Sequence, residues 1–291
     1  MSVTIDDDYR DSFSQYEPET LQDRMEVLNE DPSQYDEDEQ EELLSEFIYA
    51  LEQGDVRAAE QYEDGEWEAN AWVKEGILSI FGLAENMARE DAENGEVYHD
   101  VMPRRNIDEF LEKGARNTPG TTLRVGNYFG DGATVMSEAY ANIGAYVDDG
   151  TMIDSNVTFG SAAQMGEDGH VGANTTIGGV LDPAEKTPVV IGKNVSIGAG
   201  SRITGGAEIG ENVNTGEELL LSPGIEVYDL VDGEVLEGEI PSDRTAFRRS
   251  IESSVSDHEL FDEDESVQKP IVVAVEYDED AVELEDTLRM D

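Results

Sequence analysis

The side chains able to do chemistry in this sequence are few. It contains no cysteine, which excludes a disulfide framework, a thiolate metal site and a cysteine nucleophile. Its three histidines, His99, His170 and His258, fall in separate stretches, an arrangement unsuited to a three-histidine zinc site, so no metal is expected. More promising are Asp154, closing the segment GTMID, Arg116, opening the segment RNTPGTTLRVG, and Arg202 in GAGSR. A carboxylate such as Asp154 can accept or donate a proton beside a reacting group. The planar forks of Arg116 and Arg202 are suited to bidentate pairing with a carboxylate or phosphate, which lysine does not reproduce. By residue type alone all three would be ordinary surface groups; their context must decide.

That context is a change of period. From Leu123 every sixth residue is apolar or small: Leu123, Phe129, Val135, Ala141, Val147, Ile153, Phe159, Met165, Val171 and Ile177. After an interruption holding Pro183 and Pro188, the series resumes at Ile191, Ile197, Ile203 and Ile209. Neither a helical 3.6 nor a strand period of 2 produces this; a hexapeptide repeat does, and it predicts a parallel β-helix. Each six-residue unit gives a short strand and a corner, and three units close one triangular coil. Glycines follow the apolar residue at 166, 172, 178, 192, 198 and 210, which we read, with the asparagines, as corner residues with unusual backbone angles. His170 precedes the inward Val171 and should therefore point out of the coil, as a structural or interface histidine.

Before the repeat the pattern is helical. Leu43, Leu44, Phe47, Ile48 and Leu51 share one face of a predicted helix over 39–61. A second helical stretch follows Asp64-Gly65, with Trp67, Trp72, Val73, Ile77, Ile80 and Phe81 spaced for burial and both tryptophans read as core anchors. A third, over 106–113, should end at Gly114. The first 30 or so residues read as a weakly ordered lead or a short helix. After Val213 the pattern loosens into loops, including DHELFDEDES, ending in one strand, Ile271 to Val275, expected to cap the open end of the coil. The expected division is an N-terminal helical domain over 1–114, the β-helix over 115–235 and a C-terminal β and loop extension over 236–291.

Charge narrows the partners. Against 69 acidic residues stand 18 lysines and arginines, a formal net charge of -51. Self-repulsion on that scale is screened when the Debye length falls to about 3 Å in molar salt, so a salt-rich cytoplasm is expected. Nucleic acid and membrane surfaces are poor partners for want of clustered cations. The N-terminus MSVTIDDDYR lacks the basic start and apolar run of a secretory signal, and no stretch reaches transmembrane length.

Several segments carry a resemblance beyond the repeat. NIGAYVDDGTMID over 142–154, GSAAQMG over 160–166, IGGVLDP over 177–183, ALEQGDVRAAEQYEDGEWEANAWVKEGILSIF over 50–81 and YHDVMP over 98–103 resemble the tetrahydrodipicolinate N-succinyltransferase family. The resemblance implies transfer of the succinyl group of succinyl-CoA to the amino group of ring-opened tetrahydrodipicolinate, in the diaminopimelate route to lysine, by a homotrimer of left-handed β-helices. It implies Asp154 as the catalytic carboxylate, acting as a base or, through an acyl-anhydride, as a nucleophile. It implies Arg116 as a substrate-binding arginine. Coenzyme A would lie along the groove between neighbouring β-helices, near small residues such as Gly178 and Ala199. One departure stands out: where relatives carry a glutamate in G-A-R-S-E, this chain has Gly198, Ala199, Gly200, Ser201 and Arg202. Arg202 could therefore bind a substrate carboxylate or a coenzyme A phosphate. Two other readings remain: an N-acetyltransferase for the same acceptor using acetyl-CoA, and a non-catalytic hexapeptide scaffold.

Overall fold

A computed structural model describes residues 3–6, 9, 18–61, 67–90, 95–254 and 266–277; Asp64-Gly65, His258 and most of DHELFDEDES lie outside them. The hexapeptide period becomes two-residue strands stacked into three parallel sheets that enclose a single apolar column. One sheet begins at Arg116–Asn117 and continues through Thr134–Val135, Met152–Ile153, His170–Val171, Ser196–Ile197 and Asn214–Thr215. The second begins at Thr122–Leu123 and the third at Tyr128–Phe129; we call the three the Arg116, Thr122 and Tyr128 faces. Every apolar member of the sixfold series is buried, because in each strand the first side chain points out and the second points in.

The register shows why 18 residues make a turn: Val147 pairs with Met165 and Ile153 with Val171. At the interruption Met165 pairs with Ile191, where a regular coil would have brought in residue 183. That residue is Pro183, which has no amide hydrogen for the ladder, and the extra residues loop out.

The glycines after the inward residues act differently from the expectation. None of those at 166, 172, 178, 192, 198 and 210 has a positive φ. A Cβ on Gly172 would come 2.7 Å from the Ala199 backbone, and one on Gly198 would come 2.4 Å from the Gly216 backbone. These glycines are required by the close stacking of successive coils. The left-handed corner positions belong to other residues, among them Asn156, Asn174, Asn194 and Asn212, whose short polar side chains tolerate that conformation.

Three helices, α1 (Pro18–Glu30), α2 (Glu37–Gln53) and α3 (Ala71–Leu83), form a second core. α2 starts at a reciprocal cap between Asp36 and Glu39 and ends at Gly54 in the left-handed conformation. This core rests on one corner of the coil, between the Thr122 and Tyr128 faces, through Val125, Ile143 and Ala162. Glu52 on α2 accepts from the Gly126 N–H at 2.9 Å, and Lys74 on α3 donates to the Pro183 and Lys186 carbonyls of the looped-out segment. Burial of Lys74 pushes its ammonium below the ordinary 10.5.

Three expectations about this part need correcting. Trp67 lies in a strand, Trp67–Ala69, and not in a helix. Neither tryptophan is fully buried; Trp72 packs on Phe47 from the side, with ring centres 5.9 Å apart. Phe81 is 38% exposed, because it falls on the outer face of α3.

Both ends of the column are closed. Phe110, on the short helix α4 (Asp108–Glu112), packs against Phe129 at one end. At the other, the C-terminal segment contributes two long strands, Arg244–Ser254 and Ser266–Glu276, paired antiparallel; the sequence reading found only the second. Val272 and Ala274 join the coil core. The rungs run past residue 235: Glu239–Ile240 adds to the Tyr128 face, and Thr245 and Ala246 pair with Asn214 and Thr215 on the Arg116 face.

Candidate active site

Asp154 follows the strand Met152–Ile153 and stands on the corner between the Arg116 and Thr122 faces. The helical core covers a different corner, so this one is open. Asp154 is half-buried: its Oδ1 accepts from the Ser155 N–H at 2.6 Å, and its Oδ2 lies 3.8 Å from His170 Nε2. The backbone ladder fixes what stands above and below it. Met136 donates its amide to the Ile153 carbonyl, one coil below, and Asp154 donates its own to the Val171 carbonyl, one coil above.

Arg116 is exposed on the same face, two rungs below Met152. Adjacent strands are about 4.8 Å apart, so its backbone is about 10 Å from the Asp154 rung. The side chain reaches back up, and its Nη2 contacts Met136 Sδ at 3.5 Å. The guanidinium thus ends beside the residue directly beneath Asp154. Asp154 and the Arg116 side chain lie on the same corner, with Met136 between them.

His170 is the group that the sequence reading set aside. It sits on the rung above Met152, pointing outward, with its ring beside Asp154. The signal for it was available: one 18-residue coil carries position 152 to 170, so the residue above Met152 is adjacent to Asp154. The sequence reading places His170 outward from its neighbour Val171 but does not carry the 18-residue step through to Met152 and Asp154.

The remaining candidates are placed apart. Arg202 is exposed on the Thr122 face, pairing with Thr176 and Leu220, around the corner from Asp154 and two rungs above Thr158. Ala199 lies on the Asp154 corner, two coils up. Gly178 lies at the far edge of the Thr122 face, where a Cβ would meet Thr204 at 3.1 Å. A single chain does not bring Gly178 and Ala199 together.

A hollow of about 470 Å³ lies elsewhere, against the corner between the Tyr128 and Arg116 faces; its walls include Arg57, Trp67, Asp148, Glu167, Lys193 and Glu211. Arg57 lies 3.6 Å over the Tyr146 ring and donates to Gln164. Burial is the main cause raising the Tyr146 phenol above its ordinary 10.0. Four carboxylates, counting Glu60, outweigh two cations there, and Asp154 does not line it. Among the described residues no group of three or more His, Cys, Asp or Glu side chains is placed to hold a metal ion, and no helix is long and apolar enough to cross a membrane.

Comparison with known proteins identifies the family. Residues 20–83 match the family described as tetrahydrodipicolinate N-succinyltransferase N-terminal, and residues 188–218 match bacterial transferase hexapeptide (six repeats). A 2,3,4,5-tetrahydropyridine-2,6-dicarboxylate N-succinyltransferase from Neisseria gonorrhoeae is 37% identical over 227 residues, 77% of this chain and 82% of that protein. The chain belongs to the tetrahydrodipicolinate N-succinyltransferase family. A relative of the same description from Histophilus somni is 34% identical over 75% of this chain and 80% of its own length. A solved structure assigned as a 2,3,4,5-tetrahydropyridine-2-carboxylate N-succinyltransferase from Campylobacter jejuni aligns with a TM-score of 0.44 at 17% identity, over 80% of this chain and 62% of that one.

Proposed function

We propose that this chain transfers the succinyl group of succinyl-CoA to the amino group of ring-opened tetrahydrodipicolinate, giving N-succinyl-2-amino-6-oxopimelate and free coenzyme A. The observation that supports this reading is the Asp154 carboxylate beside His170 on an open corner, with the Arg116 side chain against Met136 one coil below, in a chain whose relatives bear that activity in their names. The acceptor amine attacks the thioester carbonyl, forming the C–N bond, and the C–S bond breaks. The amine must lose a proton as it acquires the acyl group. Asp154 is placed to accept that proton and deliver it to the departing thiolate. The Ser155 amide holds one carboxylate oxygen and leaves the other facing His170. Arg116 pairs with a carboxylate of the dicarboxylate acceptor.

The reading extends to the assembly. The coil is left-handed, and three copies pack around an axis so that the Asp154 corner of one chain faces the β-helix of its neighbour. Coenzyme A lies in the groove between them, near Ala199 on one side and Gly178 on another, and Arg202 meets a substrate carboxylate or a phosphate. A net charge of -51 fits work in a salt-rich cytoplasm, where repulsion is screened.

A thiol-release assay in about 1 M KCl, with succinyl-CoA or acetyl-CoA as donor, tests the reading. Wild type should use succinyl-CoA, and Asp154→Asn should lower kcat by at least about 100-fold, the usual contribution of a positioned acid–base group. Preference for acetyl-CoA would make the chain an N-acetyltransferase. Silence with both donors from folded protein would make it a scaffold.

A further inference from the structure

The corner that carries Asp154 continues upward as a column without side chains. Above Asp154 come Gly172, Gly198 and Gly216, each one coil higher, and then Phe247, whose ring lies 3.0 Å from the position a Cβ on Gly216 would take. The four steps amount to about 19 Å. Phe247 belongs to the strand Arg244–Ser254, in which alternate residues share a face, so Arg249 follows Phe247 outward. Its guanidinium lies 5.4 Å from the centre of the Phe247 ring.

Arg249, like Arg116, Arg202 and Arg248, is an exposed arginine in no ion pair with a carboxylate among the described residues, and it is the one of these that stands at the top of the Asp154 corner. Arg24, Arg104, Arg105, Arg124, Lys193, Arg244 and Lys269 are each paired with a carboxylate. Lys74 and Arg89 are buried on backbone carbonyls. An exposed guanidinium without a carboxylate partner among the described residues, donating only to the Arg248 carbonyl, is available to an anion, and its planar fork suits phosphate.

Length selects the anion. A phosphopantetheine arm has about the chain length of four to five extended residues, or about 15 Å. With its thioester at Asp154 and its arm along the bare corner, an acyl-CoA brings its phosphorylated nucleoside to the level of Phe247 and Arg249. We propose that Arg249, braced on Phe247, binds the 3′-phosphate of the acyl-CoA donor. This rests on the reading of the donor as an acyl-CoA. Arg248, its neighbour, is also exposed but projects from the opposite face of the strand, so it carries the same charge without the contact.

The test compares succinyl-CoA with its 3′-dephospho analogue in about 1 M KCl, by steady-state kinetics and by calorimetric binding of CoA and dephospho-CoA. Wild type should favour the phosphorylated donor by about tenfold in KM, the scale of one charge-assisted contact. Arg249→Ala should raise KM for succinyl-CoA by about that factor, keep kcat and lose the discrimination, whereas Arg248→Ala should behave as wild type. Discrimination retained in Arg249→Ala, absent in wild type, or lost equally in Arg248→Ala would overturn the assignment while leaving the succinyl transfer intact. A folded wild type that binds neither CoA form would remove the acyl-CoA reading itself, and this assignment with it.

Discussion

The coil and the parts attached to it are held together by different means. In the coil, each inward residue is one of a stack: Ile197 has Val171 beneath it on the same face, with Phe159, Ile177 and Ile203 among the other members of the column. No single side chain defines the structure, because the next coil repeats the contact. The attached parts add unique polar ties to their apolar and backbone contacts with the coil. The base of the C-terminal hairpin is fixed by Arg244, which donates through Nε and Nη2 to both oxygens of the buried Asp229 and through Nη2 to Asp232. The helical core is joined to the looped-out segment by Lys74. Repetition spreads the energy over many equivalent contacts, and unique ties concentrate it.

That contrast predicts an order of effects. Arg244→Gln should be the most costly, by about 3–5 kcal/mol, because it leaves the buried Asp229 carboxylate without its cation; urea unfolding in about 1 M KCl measures it. The Arg244 guanidinium holds the Asp229 carboxyl below the ordinary 3.8. Its stabilisation is therefore complete above about pH 4 and is lost as pH falls through the folded-state value. The gap between wild type and Arg244→Gln should narrow on acidification; a gap independent of pH would remove the ion pair as its cause. Lys74→Met should cost less, about 1–3 kcal/mol, because the Pro183 and Lys186 carbonyls lose a charged donor while the apolar stem is kept. Ile197→Val, which removes one methylene from the stack, should cost least, about 0.5–1.5 kcal/mol. An Ile197→Val effect equal to that of Arg244→Gln would dissolve the contrast.

The sequence displayed the repeated half clearly and the unique half poorly, for the same reason. A sixfold series of apolar residues recurs often enough to identify the inward residue of each strand from Leu123 to Ile209, but not the second inward set that includes Ala133, Ala139, Ala145 and Val157. The strand Arg244–Ser254 was not visible, since TAFRRSIESS has no clean alternation and pairs through its backbone with Ser266–Glu276. Phe81 was misjudged because its helix has apolar residues on more than one face and only the packing of α3 decides which are covered. At the candidate site, Asp154 and Arg116 could be picked out through the family resemblance. His170 was read only as an outward-pointing residue, because its relation to Asp154 needs the 18-residue step between coils applied at Met152 as well as the sixfold period.

By itself, then, the sequence determined the coil and its inward column, the acidic surface and the exclusion of cysteine chemistry, since these follow from residue type and local period. The tertiary structure decided which corner the helices cover, which is left open for Asp154, and that His170 stands beside it with the Arg116 guanidinium against Met136, one coil below. It also placed Phe247 and Arg249 at the top of that corner. These are contacts between residues many positions apart, fixed by the 18-residue coil and by the backbone pairing of the terminal hairpin, and neither leaves a local pattern in the chain.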